Sequence, residues 1–443
     1  MPDAAVAKLQ ALVRIPTVSH RDPARTDTAV FDTFLEELAR QFPLVHERLE
    51  LTRIHTHALL FRWRGRAATK PVVLMAHLDV VPVEETAPWQ RPAFGAEIVD
   101  GEIWGRGTLD DKGCLVGICE AVERLLADGF EPAQDVWLSF GCDEEVSGAA
   151  AGLAVEELTR RGVRPWFVLD EGGAVAAGAF PGIGVPVAVI GVTEKGVTSL
   201  ELSVEGRGGH ASTPQKLGPT ARIARAITRL ERAPFHPSLP PPTQTLLHRL
   251  APHAPAPLRP LMGNASRLGP ALARALILAG PESAAMTRTT LAATTLSGSP
   301  ALNVIASRAT AGLNIRIMVG DTVAGVVEHV RKAVRDDQVQ ITVVEANEPS
   351  PLSPYEDDEA FDLLSSTITA DFPDAVVSPY VMMAATDARF FTAISERVYR
   401  FAPFRMSKEQ REAIHSYDER IGVADFLDGV DWYRHLIERL PDD

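Results

Sequence analysis

Several short runs of this sequence are almost entirely apolar, whereas a half-buried strand would be apolar at every second position. Val72–Ala76, Val136–Phe140 and Trp166–Leu169 are runs of this kind. Strands that are covered on both faces of a sheet have this composition. Helical patterns at Lys112–Asp128 and Ala150–Arg161 lie between them. The alternation predicts an α/β fold in which helices flank a central mixed sheet.

A different region begins after residue 192, where the sequence VTSLELSVEG alternates between apolar and polar residues. Prolines are dense from Pro234 to Pro260, and we expect no regular structure there because proline interrupts helices and strands. Helix and strand patterns resume after residue 318. We therefore predict an α/β domain made of residues 1–192 and 319–443. A smaller α+β domain at 193–318, with a Pro-rich insertion near 234–281, would interrupt it.

The charge and the cysteines exclude some functions. Acidic residues outnumber basic ones 58 to 44, which gives a formal net charge of −14. Nucleic-acid and anionic membrane surfaces attract basic proteins, so we expect neither as a partner. The three cysteines contain no Cys-x-x-Cys pair and are expected to be reduced thiols. No apolar stretch near the N-terminus is long enough for a signal peptide, and we expect a cytoplasmic protein.

Acidic residues follow the apolar runs. His77-Leu78-Asp79, Asp143-Glu144-Glu145 and Asp170-Glu171 come directly after them, and Asp110-Asp111 precedes a predicted helix. The carboxyl ends of strands in an open α/β sheet converge on the ligand crevice. Several carboxylates brought together there would repel one another unless cations neutralise them. The pattern therefore indicates a metal cluster.

Each of these groups has a simpler explanation when it is taken alone. The acidic triplet could be a solvated loop, and Asp110-Asp111 could cap a helix. His77 and Asp79 could be a polar strand end, but residues at i and i+2 point the same way, so Asp79 can accept the imidazole N–H and orient His77 toward a metal. One imidazole with several carboxylates suits Zn²⁺, Mn²⁺ or Co²⁺ in a two-metal site. The sequence has no His-Glu-x-x-His, Gly-x-Ser-x-Gly or Walker motif.

Longer segments carry a resemblance to a known family. HLDVVP, PAFGAEIVDGEIWGRGTLDDKG, CDEEVSG, LDEGG, EGRGGHASTP and IHSYDE occur in this order between Ile15 and His415. Together they resemble the zinc aminoacylase/carboxypeptidase family. The WGRGTLDDKG and LDEGG segments are most similar to its carboxypeptidase S and N-fatty-acyl-amino-acid hydrolase branch.

The resemblance implies a set of metal ligands. His77 and Asp170 would bind one ion, and Glu145 and His415 would bind a second. Asp110 would bridge the two. The resemblance implies two divalent ions, with zinc favoured and cobalt or manganese as alternatives.

The resemblance also implies functions for other residues. Glu144 would be the general base, and Asn303 and Arg316 would hold the substrate, with the arginine on its free carboxylate. The inserted domain would act as a lid and form a homodimer, in which His210 would reach the partner's active site. The peptide bond between Asp110 and Asp111 would be cis.

The implied reaction is hydrolysis of the amide bond of N-acyl amino acids or short peptides with a free C-terminus, through a hydroxide that bridges the metals. A dipeptidase or a biosynthetic deacylase of the same family is an alternative. A non-catalytic metal-binding protein is another, although it would have no use for Glu144. Two departures from the family pattern are Ala306, where many relatives have proline, and the long Pro-rich insertion.

Overall fold

The computed structural model describes residues 3–84, 86–180 and 182–442 of the chain. These residues form a central ten-stranded mixed sheet, which confirms the expected fold class. Nine strands follow one another across it in the order Glu50–Ile54, Ala58–Trp63, Gln134–Gly141, Ala67–His77, Phe167–Asp170, Val398–Arg400, Val187–Glu194, Val175–Ala176 and Arg405–Met406. The tenth strand, Val376–Met382, pairs in parallel with Val187–Glu194.

The three predicted apolar runs lie side by side in the middle of this sheet. Ala67–His77 pairs in parallel with Gln134–Gly141 on one side and with Phe167–Asp170 on the other. Every residue of the latter two strands is buried. The absence of alternation in the sequence therefore reflects burial on both faces. Because the three strands are parallel, their carboxyl ends meet at one edge of the sheet.

Helices pack against the central sheet and against one another. They are Ala4–Val13, Thr28–Gln41, Pro43–Arg48, Lys112–Ala127, Ala150–Arg160, Glu359–Asp371, Ala388–Phe391, Lys408–Ala413 and Val423–Glu438, with short 3₁₀ turns at Pro23–Arg25 and Glu144–Val146. A small antiparallel sheet joins Glu97–Val99, Glu102–Trp104 and Arg420–Gly422. Among the described helices, none combines the length and the apolar character needed to cross a bilayer.

A second sheet of four antiparallel strands lies in the interrupting region. Its order is Thr290–Ser297, Arg308–Ile317, Gly196–Glu205 and Gln340–Asn347. Helices Pro219–Glu231 and Val323–Val334 pack on it around a separate apolar core. The expected boundary at residue 318 is therefore too early. Strand Gln340–Asn347 completes this sheet by pairing with Gly196–Glu205, a partner more than a hundred residues earlier in the chain.

The Pro-rich segment is helical, so the expectation that it lacks regular structure is wrong. Its helices are Pro241–Leu250, Arg259–Gly263, Ala265–Ala279 and Pro281–Ala285, with a 3₁₀ turn at Ala251–His253. Several of its prolines occupy the first turn of a helix, where a missing N–H costs no hydrogen bond. The segment packs on the central sheet, with Leu246 and Leu250 in one apolar cluster with Val187. It therefore covers the strands Val187–Glu194 and Val376–Met382.

A pair of leucine substitutions tests this packing. Leu246 is fully buried, and Leu246→Ala is expected to lower the free energy of unfolding by about 2–5 kcal/mol, because a cavity would remain. Leu278 lies in the same segment but is 88% exposed, and Leu278→Ala is expected to change it by less than about 0.5 kcal/mol. Urea unfolding measures both values. Equal small effects would show that the segment does not pack on the sheet.

Candidate metal centre

The carboxyl ends of the central strands bring the predicted acidic residues together. His77 is the last residue of its strand. Glu144 and Glu145 lie in the 3₁₀ turn that follows the neighbouring strand Gln134–Gly141. Glu171 directly follows the strand Phe167–Asp170 on the other side of His77. The register of the parallel strands therefore places the acidic groups at residues 143–145 and 170–171 on either side of the segment that carries His77 and Asp79.

Asp110 lies between two imidazoles. Its Oδ1 is 3.0 Å from His77 Nε2, and its Oδ2 is 2.8 Å from His415 Nε2. Glu145 Oε2 is 3.1 Å from the same nitrogen of His415. The Asp110–Asp111 peptide bond is cis, as expected. A carboxylate with each oxygen directed at a different imidazole is placed as a bridging ligand would be.

The donor atoms fit a pair of divalent ions. Ligand atoms of His77, Asp111 and Glu171 lie within 4.8 Å of one another, and so do those of His77, Asp110 and Glu145. Among the described residues, Asp111 Oδ1 and Glu145 Oε1 are buried without a hydrogen-bond partner. A buried carboxylate oxygen without a donor is costly. A cation bound by Glu145 would satisfy its oxygen, and a cation beside His77 would lie close to Asp111.

The structure holds Asp170, the other acid at this strand end, through one of its two carboxylate oxygens. Asp170 Oδ2 accepts a hydrogen bond from the backbone N–H of Ala388 at 2.9 Å. The next residue, Glu171, has its Oε1 3.7 Å from His77 Nε2. The resemblance implies Asp170, and the hydrogen bond from Ala388 engages only one of its oxygens, so it does not exclude Asp170 as a ligand. Glu171 thus has a carboxylate oxygen close to His77, and both adjacent acids remain candidate ligands.

Asp79 connects the histidine to the acidic turn. His77 Nδ1 donates to the backbone carbonyl of Asp79 at 3.0 Å and is 3.4 Å from the Asp79 carboxylate. That carboxylate also accepts from the backbone N–H groups of Glu144 and Glu145, each at 3.2 Å, and from Ser19 Oγ at 2.7 Å. Asp79 thus orients the imidazole, and it also fixes the turn that carries both glutamates. The sequence indicated only the first of these functions.

The electrostatics of the cluster favour cations. Burial, together with the negative charge of Asp110, raises the pKa of Glu171 to about 8. Burial also raises the pKa of Glu145. Hydrogen bonds to Asp110 and Glu145 raise the pKa of His415 to about 10. Each shift favours holding a proton, so the cluster as a whole requires positive charge.

His210 and Asn303 lie together on the smaller domain. The two-residue strands Gly209–His210 and Val304–Ile305 pair, and Ala211 N donates to the Asn303 carbonyl at 3.1 Å. His210 Nδ1 accepts from Ser212 N at 3.1 Å, which leaves Nε2 exposed as the donor. Among the described residues, no hydrogen bond or ion pair joins His210 to the acidic cluster. The structure therefore gathers the metal-ligand candidates but not this histidine.

Arg316 belongs to a group of cations where the two sheets meet. It lies on the strand Arg308–Ile317, opposite Val197. Lys195 is buried nearby, and its Nζ donates to the Arg288 carbonyl at 2.9 Å. Burial, together with the positive charges of Arg316 and Arg288, lowers the pKa of Lys195 to about 8. No motif marked Lys195 or Arg288 in the sequence, because they are brought together only by the second sheet.

Comparison with known proteins establishes the family. The model of Peptidase family M20/M25/M40 matches residues 73–439. The chain belongs to this family, and it is a hydrolase of the metallopeptidase class. This confirms the family that the sequence motifs indicated.

Individual relatives cover nearly the whole chain. A probable carboxypeptidase S-like 2 of Dictyostelium discoideum is 36% identical over 92% of this chain and 79% of its own. The N-fatty-acyl-amino acid synthase/hydrolase PM20D1 of Xenopus tropicalis is 36% identical over 99% of this chain and 86% of its own. An M20 family metallo-carboxypeptidase from Sulfolobus solfataricus has the same fold, with a TM-score of 0.74 at 18% identity over 99% of both chains. A dinuclear metal-binding peptidase of Bacillus subtilis has a TM-score of 0.61 at 14% identity over 98% of this chain and 96% of its own.

Two adjacent substitutions test which acid is the ligand. Glu171→Gln is expected to lose roughly half of the bound divalent metal, because an amide is a poor replacement for a carboxylate ligand. Asp170→Asn is expected to keep both ions, since the amide oxygen can still accept from Ala388. Dialysis followed by elemental analysis measures the metal content. Loss from Asp170→Asn alone would restore the role that the sequence suggested for Asp170.

Proposed function

We propose that this chain hydrolyses the amide bond of N-acyl amino acids, or of short peptides with a free C-terminal carboxylate, with two divalent metal ions. The observation that carries the proposal is the Asp110 carboxylate between His77 and His415, with Glu145 and Glu171 on either side. The relatives named as carboxypeptidase S-like and as N-fatty-acyl-amino acid hydrolase support this substrate class. Zinc is the proposed ion, with cobalt or manganese as alternatives.

The chain's own residues define where two ions would bind. His77, Asp110 and one of the adjacent acids Asp170 and Glu171 would hold one, and Asp110, Glu145 and His415 the other. Divalent ions bound there would lower the pKa of a water molecule and polarise the scissile carbonyl. A mixed set of imidazoles and carboxylates suits zinc, cobalt and manganese.

Glu144 is the proposed general base. Its backbone is fixed by Asp79, and its side chain makes no hydrogen bond within the described residues that would engage it elsewhere. Burial raises its pKa, and the nearby His77 opposes this shift. A carboxylate whose affinity for protons is raised in this way can accept a proton from water and later deliver it to the leaving amine.

The cations at the meeting of the two sheets are the proposed carboxylate anchor. Arg316 can bind a carboxylate through two parallel N–H bonds, which would fix the position of the scissile carbonyl. Lys195 and Arg288 add positive charge beside it. Asn303 and His210, on the paired short strands, would hold the substrate from the smaller domain.

We also propose that the smaller domain forms a homodimer and that His210 completes the partner's active site. The strand Thr290–Ser297 lies at an edge of the second sheet and is mostly exposed, so a further strand can pair there. The exposed donor of His210 lies outside its own chain's acidic cluster, which favours action on another chain.

We propose a cytoplasmic location as well. The three cysteines are unpaired and buried, in keeping with this proposal.

Replacement of Glu144 separates catalysis from metal binding. Glu144→Gln is expected to keep both ions and to lose about 10²–10⁴-fold in kcat, because only the proton transfer is removed. Hydrolysis of a panel of N-acyl amino acids and dipeptides, with metal analysis of the same sample, measures both. Glu156→Gln, on the exposed side of the helix Ala150–Arg160, is the matched control and should behave as wild type. Near-normal turnover in Glu144→Gln would assign the base to another residue.

Mixing two inactive variants tests the shared active site. Glu144→Ala and His210→Ala are each expected to be inactive as homodimers. Subunit exchange gives hybrid dimers in which one of the two sites has both wild-type residues, so activity should recover to about a quarter of wild type. The rate is measured after mixing, with exchange followed by differently tagged chains. Complete exchange without recovery would place His210 in its own chain's site or outside catalysis.

A further inference from the structure

One buried carboxylate holds the loop that carries Asp110. Glu419 Oε1 accepts from the backbone N–H groups of Gly107, Leu109 and Asp110, at 3.0, 2.9 and 3.2 Å. Glu419 is fully buried. A single oxygen therefore fixes the backbone on which the bridging carboxylate stands.

The other oxygen of Glu419 connects to the loop that carries His415. Arg106 Nη1 donates to Glu419 Oε2 at 2.6 Å, and Arg106 Nη2 donates to the Ser416 carbonyl at 2.6 Å. Ser416 directly follows His415, whose imidazole returns to Asp110 at 2.8 Å. These contacts form a closed ring. It runs from Asp110 through Glu419 and Arg106 to the loop of His415, and the His415 imidazole returns to Asp110.

We propose that the Arg106–Glu419 ion pair positions Asp110 and His415 relative to each other and so sets the geometry of the second metal position. Neither residue touches the proposed ions, so both are positioning residues. This inference rests on the proposed metal centre. It adds that the site depends on an ion pair that lies outside the set of ligands.

The chemistry of the pair explains why a carboxylate is needed. Three N–H groups and a guanidinium all point at Glu419, and an ionised carboxylate offers only acceptors. A glutamine would direct its own N–H₂ group at one of these donors. The guanidinium has two N–H directions to use at once, and it spans Glu419 and the Ser416 carbonyl. A lysine ammonium is a point charge without this planar fork.

The test compares two glutamates of the same region. Glu419→Gln is expected to weaken binding of the second ion by about 10–100-fold, the usual effect of losing a partner that orients a ligand. It should also change the absorption spectrum of the Co²⁺-loaded protein, while the first ion is weakened less, because Glu419 does not hold His77. Glu102→Gln is the control, because the Glu102 carboxylate bonds to Arg420 at 3.0 Å and to Gln410 at 2.9 Å but to none of Asp110, His415 and Glu419. It should leave both ions and the spectrum unchanged.

The outcomes separate this inference from the proposed function. If neither the wild-type protein nor Glu102→Gln binds two divalent metal ions, the metal centre itself is refuted. Two ions and an unchanged Co²⁺ spectrum in folded Glu419→Gln would refute only the positioning role. If Glu419→Gln does not fold, Arg106→Lys decides, since it keeps the charge but cannot reach both Glu419 and Ser416. A wild-type affinity and spectrum in Arg106→Lys would overturn the proposal, and a weakened second ion would support it.

Discussion

Four carboxylates, those of Asp110, Asp111, Glu145 and Glu171, are crowded beside His77 and a second imidazole at one edge of the central sheet. Burial, and after it the neighbouring negative charges, raise the pKa values of Glu145 and Glu171, so these two carboxylates hold a proton more readily than exposed ones do. Divalent ions supply the same positive charge in a form that also activates water. The parallel strands determine where these carboxylates lie, and hydrogen bonds in the adjoining loops hold them there.

The ligands themselves lie mostly in turns, so their geometry depends on carboxylates that accept backbone N–H groups. Asp79 holds the turn of Glu144 and Glu145, and Glu419 holds the loop of Asp110. Such bonds to an ionised acceptor are stronger than those between neutral groups. An irregular loop is thereby held nearly as firmly as a strand, which a metal site needs if its ligands are to keep their distances.

The smaller domain is connected to the central sheet by two chain crossings that lie side by side. Thr193 Oγ1 donates to the Ser350 carbonyl at 2.7 Å, and Glu194 N donates to Ser350 Oγ at 2.9 Å. Gly196 lies two residues after Glu194, and a Cβ at Gly196 would be 2.5 Å from the Asn347 carbonyl oxygen. Only glycine allows the two segments this close approach. The proposed carboxylate anchor, with Lys195, lies at the same crossing.

The sequence by itself determined the parallel strands of the central sheet and the acids that follow them, because burial on both faces leaves a local, unbroken apolar run. Its motifs also determined the family. Tertiary structure alone decided that His415 and Glu145 meet at Asp110, because these residues come from separate loops. It also decided the extent of the second sheet and the pairing of Glu419 with Asp110, 309 residues apart. Contacts between residues so distant in the chain leave no periodic signal in the sequence.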